Sequence, residues 1–322
     1  MRVVVSEICR LSEHIRSFIL RSEDSAGLAS FTAGAHIVVN LDLPASISVK
    51  RKYSIVSDPA DSSHYEIAVL REVNGAGGSE YMHTRVHVGD VLEISEPVNL
   101  FTLVPGGEHN VLLAGGIGIT PLLSMAHTLN SIGASFDIHY AARTPADHLY
   151  RERLEALAAG RAHFYHSEGA RKRPLDLKEV CARLGTNTHV YACGPLRFLE
   201  GLRRLVDEGV LSNEALHQES FGAGYVRDNR TSRTGEVEAT AVLAKTGRSI
   251  LVRSGQSILT ALDQSGIRVP YDCMRGECGM CAVDYCDGKV VHKDRCLSDE
   301  EHRYRICLCV SEIESERIIL AL

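Results

Sequence analysis

The hydrophobic pattern of this chain changes character twice. Up to residue 104 the apolar runs are short and β-rich or alternating, as in Ile37–Leu43, Tyr65–Leu70 and Val91–Ile94, with turn residues such as Asn74–Gly78 between them. Closely spaced strands with glycine-rich turns predict a small antiparallel barrel or sandwich. At Pro105–Gly107 the pattern shifts. Val111–Ala114 reads as a buried strand, and Leu122, Met125, Ala126 and Leu129 fall at helical spacing within Pro121–Ser131. A strand at Phe136–Ala142, a helix over about 147–158, a strand over 162–166, a strand ending His189–Cys193 and a helix over about 196–207 follow. Strands alternating with helices predict a parallel, doubly wound sheet. Residues 223–235 are polar and aperiodic, as in a linker. Beyond them, Val237–Leu243 and Ser249–Val252 flank Lys245–Arg248 as a hairpin, and Ser257 stands where it would cap a short helix. The expected domains are therefore 1–104, 105–222 and 236–322, joined by the linker 223–235.

Composition narrows the function classes. A chain of 322 residues suits two or three domains. Its net charge of −6 argues against a nucleic-acid partner, which would favour a basic surface. No apolar run approaches the ~18 residues of a membrane span, and Met1–Glu7 lacks the features of a secretory signal, so a reducing cytoplasmic setting is expected. The ten cysteines then point to metal or redox use rather than to disulfides.

Three cysteines carry the strongest signal. Cys273, Cys278 and Cys281 form C-x4-C-x2-C, with Cys309 further on, which is the ligand spacing of a plant-type [2Fe–2S] cluster. Gly276 and Gly279 supply the backbone freedom that a loop wrapped around a cluster needs. A zinc site would more often pair two C-x2-4-C knuckles. The fourth ligand is open among Cys296, Cys307 and Cys309; strand alternation puts Cys307 and Cys309 on one face.

Three further motifs suggest nucleotide and flavin. Ala114–Pro121 places Gly116, Gly118 and Thr120 between an apolar strand and a helix, where a pyrophosphate can meet free backbone N–H groups. Cys193-Gly194-Pro195 ends another strand of the same sheet, on the edge where ligands collect. In Arg51-Lys52-Tyr53-Ser54 the arginine can grip a phosphate, the tyrosine can pack on a ring and the serine can bond a ring nitrogen, with Gly77-Gly78-Ser79 offering more N–H groups. Each alone is ordinary: a tight βα connection, a helix start, a strand with a basic flank. Phe221 could cap a flavin or nicotinamide ring, or simply pack in a core.

The order Arg-x-Tyr-Ser, Gly-Gly-x-Gly-x-Thr-Pro, Cys-Gly-Pro, C-x4-C-x2-C resembles the ferredoxin–NAD(P) reductase superfamily. More closely, it resembles the phthalate dioxygenase reductase family, in which a plant-type ferredoxin domain is fused at the C-terminus. The resemblance implies an antiparallel β-barrel flavin domain, an α/β parallel-sheet nucleotide domain and an α+β β-grasp ferredoxin domain. It implies flavin contacts at Arg51, Lys52, Tyr53, Ser54, Ala68, Val69, Leu70, Gly77, Gly78, Ser79, Thr120 and Phe221. It implies nucleotide contacts at Gly116, Gly118, Thr120, Arg143, Cys193, Gly194 and Pro195, with Ser54, Thr120, Cys193 and Phe221 nearest the hydride transfer. Cys309-Val310-Ser311 matches the family's last ligand, which selects Cys309 over Cys307. The resemblance further implies FMN rather than FAD, NADH rather than NADPH, a monomer, and electron delivery to a Rieske-type oxygenase of an aromatic dioxygenase or demethylase system. A ferredoxin-type or flavin reductase without an oxygenase, and a redox-sensing iron–sulfur protein, are the alternatives. Leu70 departs from the family, which can carry lysine there.

Overall fold

The computed structural model describes residues 1–24, 27–43, 47–72, 77–104, 106–169, 172–220, 239–253, 255–267, 269, 276, 279, 281–294 and 296–322. The chain divides into two compact units, Met1–Phe221 and Gly222–Leu322, each described here by itself.

The first unit begins with six antiparallel strands: β1 (Arg2–Arg10), β2 (Ile15–Ser22), β3 (His36–Leu43), β4 (Ile47–Ser54), β5 (Tyr65–Leu70) and, after helix α1 (Gly78–Thr84), β6 (Val91–Ile94). They run in the order β4-β3-β6-β1-β2-β5. A bridge from Ile55 to Ile67, with Val56 N donating to Glu66 O at 2.7 Å, joins the two edge strands and closes a barrel. Alternation decides its filling: Val3, Val5, Ile37, Val39, Leu41, Ile67 and Val69 point inward and are buried. The predicted barrel is therefore present.

The rest of this unit alternates strand and helix: β7 (His109–Gly115), α2 (Ile119–Ser131), β8 (Phe136–Ala142), α3 (Arg151–Ala158), β9 (Ala162–His166), α4 (Leu177–Cys181), β10 (Thr188–Cys193), α5 (Leu196–Asp207) and β11 (Leu216–Glu219). The sheet is parallel, in the order β11-β10-β7-β8-β9. Leu112 and Ala114 face α2 and α3, while Val111 and Leu113 face α5. Helix α3 starts at Arg151 rather than about 147, because Thr144 and Asp147 close a one-turn 3₁₀ segment over 145–147 as a capping box. The signature Thr144-Pro145-Ala146-Asp147 was present in the sequence as [ST]-x-x-[DE]. The short α4 and β11 were not read from the sequence; the four residues of β11 are all half-exposed and carry little periodic signal.

Barrel and sheet share one core. Ala33, Val56, Ala68 and Phe101 of the barrel side pack in the same cluster as Ile119, Leu122 and Met125 of α2. Gly34 N donates to the buried Ser124 Oγ at 3.0 Å, and Arg153 Nη1 donates to the buried Glu66 carboxylate at 2.7 Å.

The second unit holds β12 (Ala239–Leu243), β13 (Ser249–Val252), α6 (Ile258–Gln264), β14 (Ala282–Asp287), β15 (Val290–Val291), β16 (Arg305–Cys307), β17 (Glu312–Ile313) and β18 (Arg317–Leu320). Its main sheet runs β13-β12-β18-β14-β16, with β12 and β18 parallel and the other pairs antiparallel. Helix α6 buries Ile258, Leu259, Ala261 and Leu262 in the core with strand residues Ala241, Ile250 and Ile318, giving the predicted β-grasp. Ser257 caps α6, its Oγ accepting from Thr260 N at 3.1 Å. The linker 223–235 lies outside the described residues.

Candidate flavin, nucleotide and cluster sites

In a parallel sheet the crevice opens where neighbouring connections leave in opposite directions. Here the chain goes from β7 to β8 on one side, and returns to β10 on the other. The turns after β7 and β10 thus flank the switch point, and they touch. A Cβ on Gly115 would lie 2.8 Å from Pro195 Cδ, one on Gly194 3.0 Å from Gly115 Cα, and one on Gly118 would overlap the Cys193 carbonyl. Gly116 differs: it has φ +57 and open space beside it, so a ligand can approach its backbone. Sequence reasoning placed the two turns on one edge; the structure packs them glycine to glycine.

Two predicted side chains in this region are buried. Thr120 is buried and its Oγ1 donates to Ile117 O at 3.0 Å, bracing the turn. Cys193 is wholly buried in the core beneath α2. Past β8, Arg143 is exposed, while the Asp147 carboxylate accepts from both Thr144 N (3.0 Å) and Thr144 Oγ1 (2.8 Å). The Asp147 oxygen so engaged is committed to its own loop. A cavity of about 840 Å³ lies elsewhere, on the α4 face among His109, Asp137, His139 and His163, and belongs to none of these motifs.

On the barrel, Ser54 is buried and Tyr53 half-buried, and the hydroxyls of both are shielded from solvent without a hydrogen-bond partner among the described residues. Burial pushes the Tyr53 phenol well up, so it stays a neutral O–H. Buried hydroxyls left unmatched cost free energy, which a polar ring placed against them would recover. The Arg51 side chain lies across Gly78, where an added Cβ would come within 2.7 Å of its Nε. Gly77 (φ +81) turns the chain into α1 beside it, and Ser79 Oγ accepts from Glu72 N at 3.1 Å. Ala68 faces α2 with Val56, Val69 faces the barrel interior, and Leu70 is half-buried at the end of β5. The neighbouring Arg71 is held by Glu80 through two bonds of 2.7 and 2.8 Å, so it does not replace the charge absent at Leu70. Phe221 lies outside the described residues. This geometry predicts that Arg51→Ala weakens flavin retention by roughly 1.5–3 kcal/mol, the value of a hydrogen bond to a charged group. Flavin loss on gel filtration would measure it; unchanged retention would remove Arg51 from the site.

In the second unit, Cys273 and Cys278 lie outside the described residues, whereas Cys281 and Cys309 are buried together. Gly276 (φ +71) packs so closely that a Cβ would sit 2.6 Å from Val310 Cγ2 and 2.8 Å from Asp294 Cα. The argument from alternation fails: β16 ends at Cys307 and the chain turns, with Ser311 N donating to Cys307 O at 3.1 Å. Both thiols nonetheless reach Cys281. Donation from Cys307, and after it from Cys309, pulls the Cys281 thiol down toward thiolate, and Cys307 is pushed up by the same contact and by burial. Cys307 Sγ also lies 3.2 Å from Cys296 Sγ.

Comparison with known proteins agrees with this layout. Family models match residues 2–102 as an oxidoreductase FAD-binding domain, 112–204 as an oxidoreductase NAD-binding domain and 242–314 as a 2Fe-2S iron–sulfur cluster binding domain. The chain is 32% identical over 324 residues to phthalate dioxygenase reductase of Burkholderia cepacia, covering 100% of this chain and 97% of that one. The solved phthalate dioxygenase reductase superposes with a TM-score of 0.71 at 32% identity, covering 100% of this chain and 98% of that one. The chain belongs to the phthalate dioxygenase reductase family. A further relative, the tert-butanol monooxygenase / tert-amyl alcohol desaturase reductase subunit of Aquincola tertiaricarbonis, is 37% identical over 315 residues, covering 96% of this chain and 92% of that one. The protein is thus an oxidoreductase with flavin-, NAD- and [2Fe–2S]-binding domains. The described residues fit those groups: unpartnered hydroxyls at Tyr53 and Ser54, an open left-handed glycine at the switch point, and buried cysteine sulfurs at Cys281 and Cys309. No helix among the described residues is long and apolar enough to cross a membrane.

Proposed function

We propose that this protein takes hydride from NADH onto FMN and passes single electrons through a [2Fe–2S] cluster to the Rieske-type oxygenase of an aromatic dioxygenase or demethylase. When bound, the flavin supplies the two-electron to one-electron conversion that links NADH to a one-electron cluster. The single observation that carries the reading is the packing of the 115–118 and 193–195 turns at the switch point, in one core with the barrel that bears Tyr53 and Ser54.

In this reading residues 1–104 hold the flavin, 105–222 the nucleotide and 236–322 the cluster, with 223–235 as linker. Arg51, Lys52 and the N–H groups of Gly77, Gly78 and Ser79 grip the flavin phosphate. Tyr53 packs on the ring, and Ser54 donates to its nitrogen edge. Ala68, Val69 and Leu70 line the strand beside it. Gly116 and Gly118 bring backbone against the pyrophosphate, and Gly194 and Pro195 shape the nicotinamide side. Buried Thr120 and Cys193 position that wall, and Phe221 covers the ring. Arg143 borders the adenosine half. Cys273, Cys278, Cys281 and Cys309 ligate the cluster. The enzyme acts as a cytoplasmic monomer.

The test uses the purified protein with both nucleotides, taking ferricyanide as flavin acceptor and cytochrome c as cluster acceptor. A higher kcat/KM for NADH, heat-released flavin migrating as FMN, and NADH-dependent reduction of a Rieske oxygenase encoded beside it are expected. A higher kcat/KM for NADPH overturns the nucleotide, FAD overturns the flavin, and failure to reduce the oxygenase while reducing cytochrome c leaves a general reductase.

A further inference from the structure

Beside the cluster segment lies a second group of metal-binding side chains that the electron path does not use. His292, Asp294 and His302 place one donor atom each within 4.8 Å of one another, and Asp294 joins Cys296 and Cys307 in an adjoining group. The Asp294 side chain is 0% exposed, those of His292 and His302 only 16% and 23%. Among the described residues no lysine or arginine pairs with this carboxylate; Lys293, next to it, pairs with Glu312.

The carboxylate is only half satisfied. Its Oδ2 accepts from His302 Nε2 at 3.1 Å, from Leu297 N at 3.1 Å and from Cys296 Sγ at 3.8 Å. Its Oδ1 has no hydrogen-bond partner among the described residues, and neither has His292 Nδ1. These two buried atoms face each other at 3.7 Å, too far for a hydrogen bond. That separation is slightly longer than the roughly 3.3–3.6 Å between a nitrogen and an oxygen on one tetrahedral ion with bonds of about 2.0–2.2 Å, so a bound ion would draw the two together. A charged carboxylate inside a protein is paired, or it coordinates a metal. The two imidazoles stack at 4.0 Å between centroids, 20° from parallel, so one ring must turn for both in-plane nitrogen lone pairs to meet one ion.

We propose that His292, Asp294 and His302, with the Cys296 thiolate as fourth ligand, form a zinc site beside the iron–sulfur cluster. Two nitrogens, one oxygen and one sulfur suit Zn²⁺, a borderline-soft cation, better than Ca²⁺ or Mg²⁺, which prefer oxygen donors. Four protein ligands and little exposure mark a structural rather than a catalytic zinc. On binding, Cys296 releases its proton to solvent and the single proton of the neutral His302 ring moves from Nε2 to Nδ1, freeing Nε2 for the ion; nothing is oxidised or reduced. Because Gly276 of the cluster loop packs on Asp294 Cα, the bound ion ties residues 292–302 to that loop.

The test uses the holoprotein, washed with a mild chelator, equilibrated with micromolar Zn²⁺, desalted and analysed for zinc, iron and sulfide. One zinc per chain is expected, with iron, sulfide and the reduced-cluster EPR signal unchanged. His302→Ala and Asp294→Asn should lower zinc affinity at least about 100-fold, the upper end of what losing even an outer partner costs a metal site. X-ray absorption at the zinc edge of the unaltered protein should show mainly N/O neighbours at about 2.0–2.1 Å with one sulfur at about 2.3 Å. Equal zinc retention by both variants, no zinc retained, or an all-sulfur shell from zinc in the cluster cysteines each overturns the proposal.

Discussion

Cys309→Ser is expected to strip iron and acid-labile sulfide from the protein, abolish the reduced-cluster EPR signal and take NADH–cytochrome c reduction to background. Flavin content and NADH–ferricyanide activity should remain, because the first unit has its own core. Cys307→Ser should keep the cluster. The structure makes this a sharper contrast than sequence did, since both thiols reach Cys281. Cys307 is also 3.2 Å from Cys296, whereas Cys309 leads into Val310, which packs against Gly276 of the loop bearing the first ligands. Serine leaves an alcohol in place of a thiolate, a poor ligand for a soft cluster. Iron and sulfide analysis with EPR decides the matter: a cluster kept in Cys309→Ser and lost in Cys307→Ser would make Cys307 the fourth ligand.

Gly118→Ala should cost nearly as much. Gly118 has φ −62 and stands at the N-cap of α2, a position where glycine is itself preferred over alanine. An added Cβ would overlap the Cys193 carbonyl and lie 2.7 Å from Gly194 N. Both neighbours are backbone and cannot rotate away, so the turns must part. Overpacking of this kind costs about 1–3 kcal/mol, and for a unit of this size each kcal/mol lowers Tm by roughly 2–4 °C. The KM for NADH should rise with little change in bound flavin, because the expected flavin contacts other than Thr120 and Phe221 belong to the barrel. Gly116→Ala is the control: it meets no atom, yet its φ of +57 strains alanine by roughly 1–2 kcal/mol. A Gly118→Ala protein with unaltered Tm and KM would show that the turns are not locked together.

How much was legible can be traced residue by residue. The strand Phe136–Ala142 and the cap at Ser257 could be read because alternation and capping involve residues close in the chain. The capping box at Thr144 and Asp147 is equally local and stands in the sequence as Thr-x-x-Asp. Thr120 is expected at the ligand, and the structure adds that its hydroxyl donates to the Ile117 carbonyl of its own turn. Cys307 and Cys309 were assigned to one strand face, and a turn intervened after β16.

By itself, then, the sequence determined the three kinds of domain and the order of their motifs, because ligand spacing, glycine-rich turns and hydrophobic period are short-range properties. Only tertiary structure decided that the turns after β7 and β10 meet, that Tyr53 and Ser54 keep buried hydroxyls unpartnered, and that His292 and Asp294 gather with His302. Each of those depends on which strands become neighbours, and strand order is set by long-range packing that no local spacing records.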